Sequence, residues 1–80
     1  MRGRSRLYSS NEVIRVLERD GFRVAKDSKR GSHRTFRKVT DGRTIVAVVP
    51  LSYRELPRGT FASILRQAGM TMERFLELSG

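Results

Sequence analysis

The residue of this chain best suited to acid–base chemistry is its single histidine, His33, in the stretch Gly-Ser-His-Arg-Thr-Phe over residues 31–36. An imidazole changes charge near neutral pH, so it can both accept and donate a proton under physiological conditions. Gly31 lets the preceding loop turn and lets the main chain approach a phosphate closely. Ser32 is either an ordinary turn residue or a functional residue that hydrogen-bonds a phosphate or His33. The sequence does not favour one of these two interpretations over the other.

Positive charge surrounds this histidine. The chain has 17 Lys and Arg against 8 Asp and Glu, for a net charge of +9, and residues 23–43 alone hold eight basic and two acidic side chains. Such a field attracts polyanions such as nucleic acid, whereas solubility alone would not require clustering. Lys29 and Arg30 in the loop, and Arg37 on the same strand face as His33, are the predicted phosphate-binding groups. Arg34 is expected to point to the opposite face.

Composition excludes several other classes of site. Cys is absent, which rules out disulfides and thiolate zinc sites, and one His without a carboxylate cluster disfavours a metal centre. A chain of 80 residues has little room for a deep cofactor pocket, so no cofactor is expected. No apolar run approaches the roughly 20 residues of a membrane span. The start of the chain is basic, but no apolar segment follows it, so it is not expected to be a secretory signal. The expectation is therefore a cytoplasmic protein with no membrane partner.

Residue spacing predicts the elements that position His33. Residues 1–8 are expected to form a basic flexible arm and residues 9–80 a single domain. A helix and three strands are predicted over residues 10–20, 22–26, 33–39 and 44–49. Ser9 and Glu12 match a capping box, and Asp41-Gly42 is a strong hairpin signal between the last two strands. The third strand is apolar on both faces, which predicts a central or doubly covered position.

Two further helices follow an irregular connection. The second is expected to begin at Gly59-Thr60 with Thr60 as its cap, and to end at Gly69. A short last helix is capped by Thr71, and its inward-facing side chains are predicted to be Met72, Phe75, Leu76 and Leu78. The order α-β-β-β-α with a short terminal helix predicts a two-layer α+β domain, in which helices cover one face of a three-stranded antiparallel sheet.

Four local stretches resemble the HicA (YcfA-like) toxin family. They are Asp20-Gly21-Phe22, Gly31-Ser32-His33, Val49-Pro50, and Gly59-Thr60 with Ile64-Leu65-Arg66-Gln67-Ala68-Gly69. The resemblance covers residues 9–79 and implies a double-stranded-RNA-binding-domain-like fold. It also implies a ribonuclease that cleaves mRNA, with His33 as the catalytic histidine and a HicB-type antitoxin covering the active face. Many members carry a second His after Val-Pro, where this chain has Leu51-Ser52-Tyr53.

These observations predict the toxin of a type II toxin–antitoxin system, a metal-independent endoribonuclease with His33 as general acid and base. Tyr53 is a candidate second proton donor, although a packing or stacking role is favoured for it. The alternative is a non-catalytic RNA-binding module of the same fold, for which the charge pattern suffices. A third class is a protein-interaction domain whose basic face docks an acidic partner, as an antitoxin would be.

Overall fold

A computed structural model describes residues 6–80. The elements are α1 (Ser10–Arg19), β1 (Arg23–Asp27), β2 (His33–Thr40), β3 (Arg43–Pro50), α2 (Arg58–Ala68) and α3 (Met72–Ser79). The three strands form one antiparallel sheet, which confirms the predicted α+β order of elements. Within residues 6–80 no helix is long and apolar enough to cross a membrane.

The first helix begins with the predicted capping box. The Ser9 hydroxyl accepts a hydrogen bond from the Glu12 backbone N–H at 3.0 Å, and the Glu12 carboxylate accepts one from the Ser9 N–H at 2.8 Å. The bond from the Ser9 backbone is the largest cause that lowers the pKa of Glu12, and the Arg6 guanidinium adds to it. The helix ends at Arg19 with Asp20 as its C-cap, and Gly21 follows with a φ of +102°, a conformation that favours glycine.

The sheet has the order β1-β2-β3, so the central strand is β2. The prediction that the third strand is central or covered on both faces is wrong. Val46 on β3 remains 46% exposed, because the helices cover only the face of the sheet that carries Phe36 and Ala47. The outward β-branched residues of β3 suit an extended backbone without being buried. The free edge of β3 meets α2, where the Gln67 side-chain oxygen accepts the Val48 N–H at 2.8 Å.

The core lies between the sheet and the helices and includes residues that precede α1. Its largest fully buried side chains are Phe22, Phe36, Phe75, Leu17, Leu56 and Ile64. The Tyr8 ring stacks on Phe61 at 5.2 Å and meets Phe75 edge-on at 4.8 Å. The packed part of the chain therefore includes Tyr8, which the predicted arm over residues 1–8 contained. Residues 1–5 of that arm lie outside the described residues.

The turn between β2 and β3 follows the prediction, whereas the start of α2 does not. Asp41 and Gly42 have φ values of +52° and +72°, the left-handed pair that a tight two-residue hairpin requires. Thr60 does not cap α2. The helix begins one turn earlier, since the Pro57 carbonyl accepts the Phe61 N–H at 2.9 Å and no side chain caps it. Gly69 ends α2 in the left-handed conformation, as expected.

The last helix is capped as predicted but buries fewer side chains than expected. The Thr71 hydroxyl accepts the Arg74 N–H at 3.0 Å. Phe75 is fully buried and Leu78 packs against the core, but Met72 and Leu76 are 43% and 50% exposed. The predicted inward position of these two residues is wrong, because α3 packs on the core through one narrow side.

Candidate active site

The loop before His33 is a tight turn whose geometry depends on a serine and a glycine. The Gly31 N–H donates to the Ser28 carbonyl at 2.9 Å, which closes a four-residue turn over residues 28–31. Gly31 has a φ of +71°, and an added Cβ would meet no atom within 4 Å. A glycine is therefore favoured there by backbone conformation and not by crowding. The turn presents Lys29 and Arg30 at its tip.

Ser28 holds the start of β2 in place and was missed by the sequence reasoning. Its hydroxyl accepts the N–H groups of Ser32 and His33 at 3.0 and 3.2 Å. Its own N–H donates to the His33 carbonyl at 2.8 Å, which extends the pairing of β1 with β2. A signal for it exists in the sequence, because Ser at the first and Gly at the fourth position are typical of a β-turn.

The His33 side chain is exposed and one of its two ring nitrogens has a partner. The Ser32 hydroxyl lies 3.0 Å from Nδ1, so Nε2 is the nitrogen that remains available to another molecule. The backbone of Ser32 is also held, because its carbonyl accepts the Leu51 N–H at 2.9 Å. These contacts give the imidazole a defined direction although it lies on the surface.

The predicted phosphate-binding cations occupy two places. Lys29 and Arg30 lie in the turn beside His33. Arg37 shares the His33 face of β2 but lies four residues on, about 13 Å along the strand. None of the three forms an ion pair with another residue between 6 and 80.

Arg34 lies on the opposite face of β2, as predicted, and its charge is paired. Its guanidinium donates to both carboxylate oxygens of Asp27, at 2.7 and 3.3 Å. The hydrogen bond from Arg34 lowers the pKa of Asp27, and the same bond raises the pKa of Arg34. Arg34 is therefore held away from the His33 side of the sheet.

A groove of about 480 Å³ opens beside His33, between the end of β3 and α2. Its lining residues are His33, Val48, Pro50, Tyr53, Gly59, Thr60, Ser63, Ile64 and Gln67. Tyr53, which the sequence singled out, therefore does lie on the same groove as the histidine. The polar side chains that α2 contributes, Thr60, Ser63 and Gln67, were missed because only tertiary packing brings α2 beside the sheet.

Buried Ser10 anchors the segment that follows β3. Its hydroxyl donates to the Pro50 carbonyl at 2.6 Å and accepts the Tyr53 N–H at 3.1 Å. Its backbone N–H donates to the Tyr53 carbonyl at 3.0 Å. Residues 50–53 are thus tied to the start of α1, and the Tyr53 backbone is fixed next to the groove.

Comparison with known families identifies the group of proteins to which this fold and site belong. The model of a family described as the HicA toxin of bacterial toxin–antitoxin systems matches residues 10–70. The chain belongs to the HicA toxin family. The match spans α1, the whole sheet, the His33 turn and α2. No curated protein matches the chain. Membership in this family assigns a toxin role and implies an antitoxin as its partner.

In this HicA toxin the segment after Val49-Pro50 supplies a phenol and no imidazole. Leu51 continues the pairing with Ser32, and Ser52 adopts a left-handed φ of +69°. Tyr53 follows and is 47% exposed. His33 and Tyr53 are therefore the two titratable side chains that line the groove.

Proposed function

We propose that this HicA toxin is an endoribonuclease that cleaves mRNA in the cytoplasm without a metal ion, with His33 as general acid and base. A HicB-type antitoxin neutralises it by covering the face that carries His33. The observation that carries the proposal is an exposed imidazole held at Nδ1 by Ser32 beside a turn whose two cations, Lys29 and Arg30, have no acidic partner in the described part of the chain.

The reaction uses a nucleophile that RNA itself provides. The 2′-hydroxyl attacks the adjacent phosphorus, the 2′-O–P bond forms, and the P–O5′ bond breaks. The products are a 2′,3′-cyclic phosphate and a free 5′-hydroxyl. A base must take the proton of the 2′-hydroxyl and an acid must give one to the leaving 5′-oxygen. The available Nε2 of His33 is the proposed atom for this proton transfer.

Ser32 supports both halves of that role. A hydroxyl can accept a hydrogen bond from Nδ1–H, which leaves Nε2 bare as a base. The imidazolium that forms when Nε2 takes up the proton keeps its Nδ1–H, so the same hydroxyl still accepts from Nδ1 while Nε2–H serves as the acid. The contact at 3.0 Å therefore suits both protonation states of His33. Ser32 is proposed as a positioning residue.

Cations stabilise the charge that develops on the phosphorane. Lys29 and Arg30 extend from the turn that precedes His33, so they are the proposed partners of the reacting phosphate. Arg37 lies too far along β2 to share that phosphate and is proposed to contact a neighbouring nucleotide. Gly31 adopts the left-handed conformation that lets the turn bring its main chain close to the RNA backbone.

The experiment is cleavage of an end-labelled mRNA by the purified toxin in EDTA, beside the variant His33→Ala. A matched control is Thr44→Ala, which truncates an exposed side chain on the same sheet face at the far end of β3. His33→Ala is expected to slow cleavage by about 10² to 10⁴-fold, the usual contribution of a general acid–base group. Thr44→Ala should cut like the wild type, and the products should carry cyclic phosphate and 5′-hydroxyl ends.

The alternative, a non-catalytic RNA-binding module, is favoured by Arg37, which has no carboxylate partner between residues 6 and 80 and lies away from His33. Together with the other basic residues it could bind RNA without any chemistry. It predicts that wild type and His33→Ala both leave RNA intact while binding it in a salt-sensitive manner. Cleavage that persists unchanged in His33→Ala would instead support a ribonuclease but contradict the catalytic role proposed for His33.

A further inference from the structure

We propose that the groove between β3 and α2 binds one unpaired nucleobase of the RNA next to the reactive phosphate, so that this toxin acts on single-stranded RNA. The consequence for cleavage rests on the proposed ribonuclease function, whereas base binding in the groove does not. The groove has a volume of about 480 Å³, and His33 is one of the residues that line it. A phosphate held at His33 therefore places an adjacent base at the groove.

The groove is lined by apolar residues and a few polar groups, as ligand sites usually are. Val48, Pro50 and Ile64 provide the apolar surface, and Ser63 and Thr60 provide hydroxyl groups along α2. A flat aromatic base buries its ring against the former and exchanges hydrogen bonds with the latter. A phosphate group alone would gain nothing from contact with these apolar side chains.

Gln67 contributes a donor whose orientation is fixed. Its Oε1 accepts the Val48 N–H at 2.8 Å, so the amide cannot be turned over without placing two donors against each other. Its Nε2 therefore points away from the strand and offers N–H groups to a ligand in the groove. Each of the four bases carries carbonyl or ring-nitrogen acceptors on its edge, so this donor suits a nucleobase.

Tyr53 provides an aromatic surface at the groove. The residue is 47% exposed, and no other aromatic ring between residues 6 and 80 contacts its ring. The two backbone hydrogen bonds with Ser10 hold the residue in place, so a base that stacks on it meets a preorganised partner. Stacking on aromatic side chains and contacts to base edges are how proteins recognise unpaired RNA.

Base pairing would prevent this mode of binding. In a duplex the edge that Gln67 would contact is already hydrogen-bonded, and both faces of the base are stacked. The deep major groove of an RNA helix also keeps base edges away from side chains. The same RNA sequence should therefore bind the groove when single-stranded and not when annealed to its complement.

The first test measures base binding without cleavage. A single-stranded 2′-O-methyl RNA hexamer has no 2′-hydroxyl to react, and Gln67 is the only glutamine of the chain, so its side-chain amide can be followed by NMR. Addition of the hexamer to the wild-type toxin is expected to shift the signals of the Gln67 amide and the Tyr53 ring. Unchanged signals at saturation would overturn the proposal, and so would equal shifts with the annealed duplex.

The second test uses a substitution that preserves the fold. Gln67→Glu keeps an oxygen to accept the Val48 N–H and replaces the free donor with an acceptor. Ala62→Glu adds the same negative charge on the exposed side of α2, outside the groove lining. Gln67→Glu should weaken hexamer binding roughly tenfold more than Ala62→Glu, the scale of one hydrogen bond to a base edge. Equal weakening of hexamer binding by both substitutions would mean that the effect comes only from the added negative charge. It would overturn the proposal that the groove binds a base.

A pair of substitutions at Tyr53 separates stacking from hydroxyl chemistry. Tyr53→Phe keeps the ring and should retain hexamer affinity, whereas Tyr53→Ala should lower it by about tenfold. Loss of affinity in Tyr53→Phe would contradict a stacking role.

The outcomes also separate this inference from the proposed function. Shifted Gln67 signals with no RNA cleavage would reject the ribonuclease and keep the groove. Cleavage by the wild type, with Gln67→Glu giving the same cut positions and rate, would keep the ribonuclease and reject the groove. Signals that respond to an antitoxin and not to RNA would make the groove a protein-docking site and overturn the proposal.

Discussion

The two faces of β2 differ in what balances their positive charges. On the face that packs toward the helices, Arg34 binds Asp27 at 2.7 Å and Lys38 binds Asp20 at 2.8 Å. On the open face, Arg37 and the turn beside His33 have no carboxylate partner in the described part of the chain. Acidic residues thus pair with the cations on the helix-facing side of β2. Within residues 6–80 they do not neutralise the positive charge of its open face.

The His33 end is organised by neutral groups instead of ion pairs. Ser28 and Ser32 supply the hydrogen bonds that hold the turn and the imidazole. Hydroxyl groups define a geometry without cancelling the charge of nearby cations. This difference is what a polyanion-binding surface requires, because its cations must remain available. Substitutions on the paired and the unpaired side should therefore have different effects on stability and on RNA binding.

The largest effect on stability is expected at Asp20, on the paired side. Its side chain is 12% exposed and accepts hydrogen bonds from Lys38 and Arg74. Asp20→Asn should lower the free energy of unfolding by about 2 kcal/mol, because two charged donors lose their carboxylate. Urea unfolding measures the loss, and the RNA affinity of the folded variant should not fall.

Asp41→Asn is the matched control, since the exposed hairpin position has a left-handed φ that asparagine tolerates well. A stability of Asp20→Asn equal to that of Asp41→Asn would contradict the assigned role of the paired side.

The next effect is expected at Ser28, on the unpaired side. Ser28→Ala leaves the N–H groups of Ser32 and His33 without their acceptor, which should cost about 1 kcal/mol. The destabilisation should be the same at low and high salt, because no ion pair is involved. Urea unfolding at two salt concentrations measures it.

Ser32→Ala serves as the comparison for that variant. It removes the hydrogen bond to Nδ1 of His33 and the long 3.4 Å contact with the Ser28 hydroxyl, but it keeps both backbone bonds to Ser28. It should therefore slow RNA cleavage with little change in stability. A large loss of stability in Ser32→Ala would show that the turn depends on its hydroxyl as well.

A smaller effect is expected from single arginines on the two faces. Arg37→Gln should weaken binding of single-stranded RNA by about threefold to tenfold at low salt. It should also make the slope of log affinity against log salt shallower by about 0.7, because one phosphate is no longer neutralised. Arg34→Gln removes the same charge from the paired face and should leave that slope unchanged. Filter binding over a salt series measures both, and equal slopes in the two variants would remove the distinction between the faces.

The smallest effect is expected on the pH dependence of folding stability, to which the exposed ion pair of Asp27 and Arg34 contributes. The guanidinium lowers the pKa of Asp27 below its ordinary value of 3.8. The pair therefore stabilises the fold fully above that value and loses its contribution as the pH falls through the lowered pKa. The stability difference between wild type and Asp27→Asn should be present at pH 6, shrink on acidification below about pH 4, and diminish in high salt.

An NMR titration of the Asp27 carboxyl checks the sign directly. In Arg34→Gln its midpoint should move up toward the ordinary value. An unchanged midpoint would mean that another group lowers the pKa of Asp27.

Sequence reasoning worked best where a signal is local. The capping box of Ser9 and Glu12, the left-handed turn at Asp41-Gly42 and the stop at Gly69 each depend on residues within four positions of one another. Periodicity also placed His33 and Arg34 on opposite faces of β2, because alternation is a property of any strand. These features required no knowledge of the partner elements.

The burial of a side chain could not be predicted where it depends on which distant element packs against it. Apolar residues on both faces of β3 suggested a central strand, but an edge strand with β-branched residues on its open face has the same pattern. Met72 and Leu76 looked like core residues and are exposed, whereas Tyr8 looked like part of an arm and is buried. Hydrophobicity alone does not decide which side chain finds a partner.

The sequence by itself determined the order of elements, the turn before His33 and the excess of positive charge around it. Only the tertiary structure decided which cations remain unpaired and which side chains share a groove with the histidine. Gln67 and Tyr53 are separated from His33 by 34 and 20 positions, and packing of α2 and the Ser10-anchored segment against the strand ends brings them together. Local propensities act over a few residues, whereas a binding site depends on contacts between distant segments that form only when the core is packed.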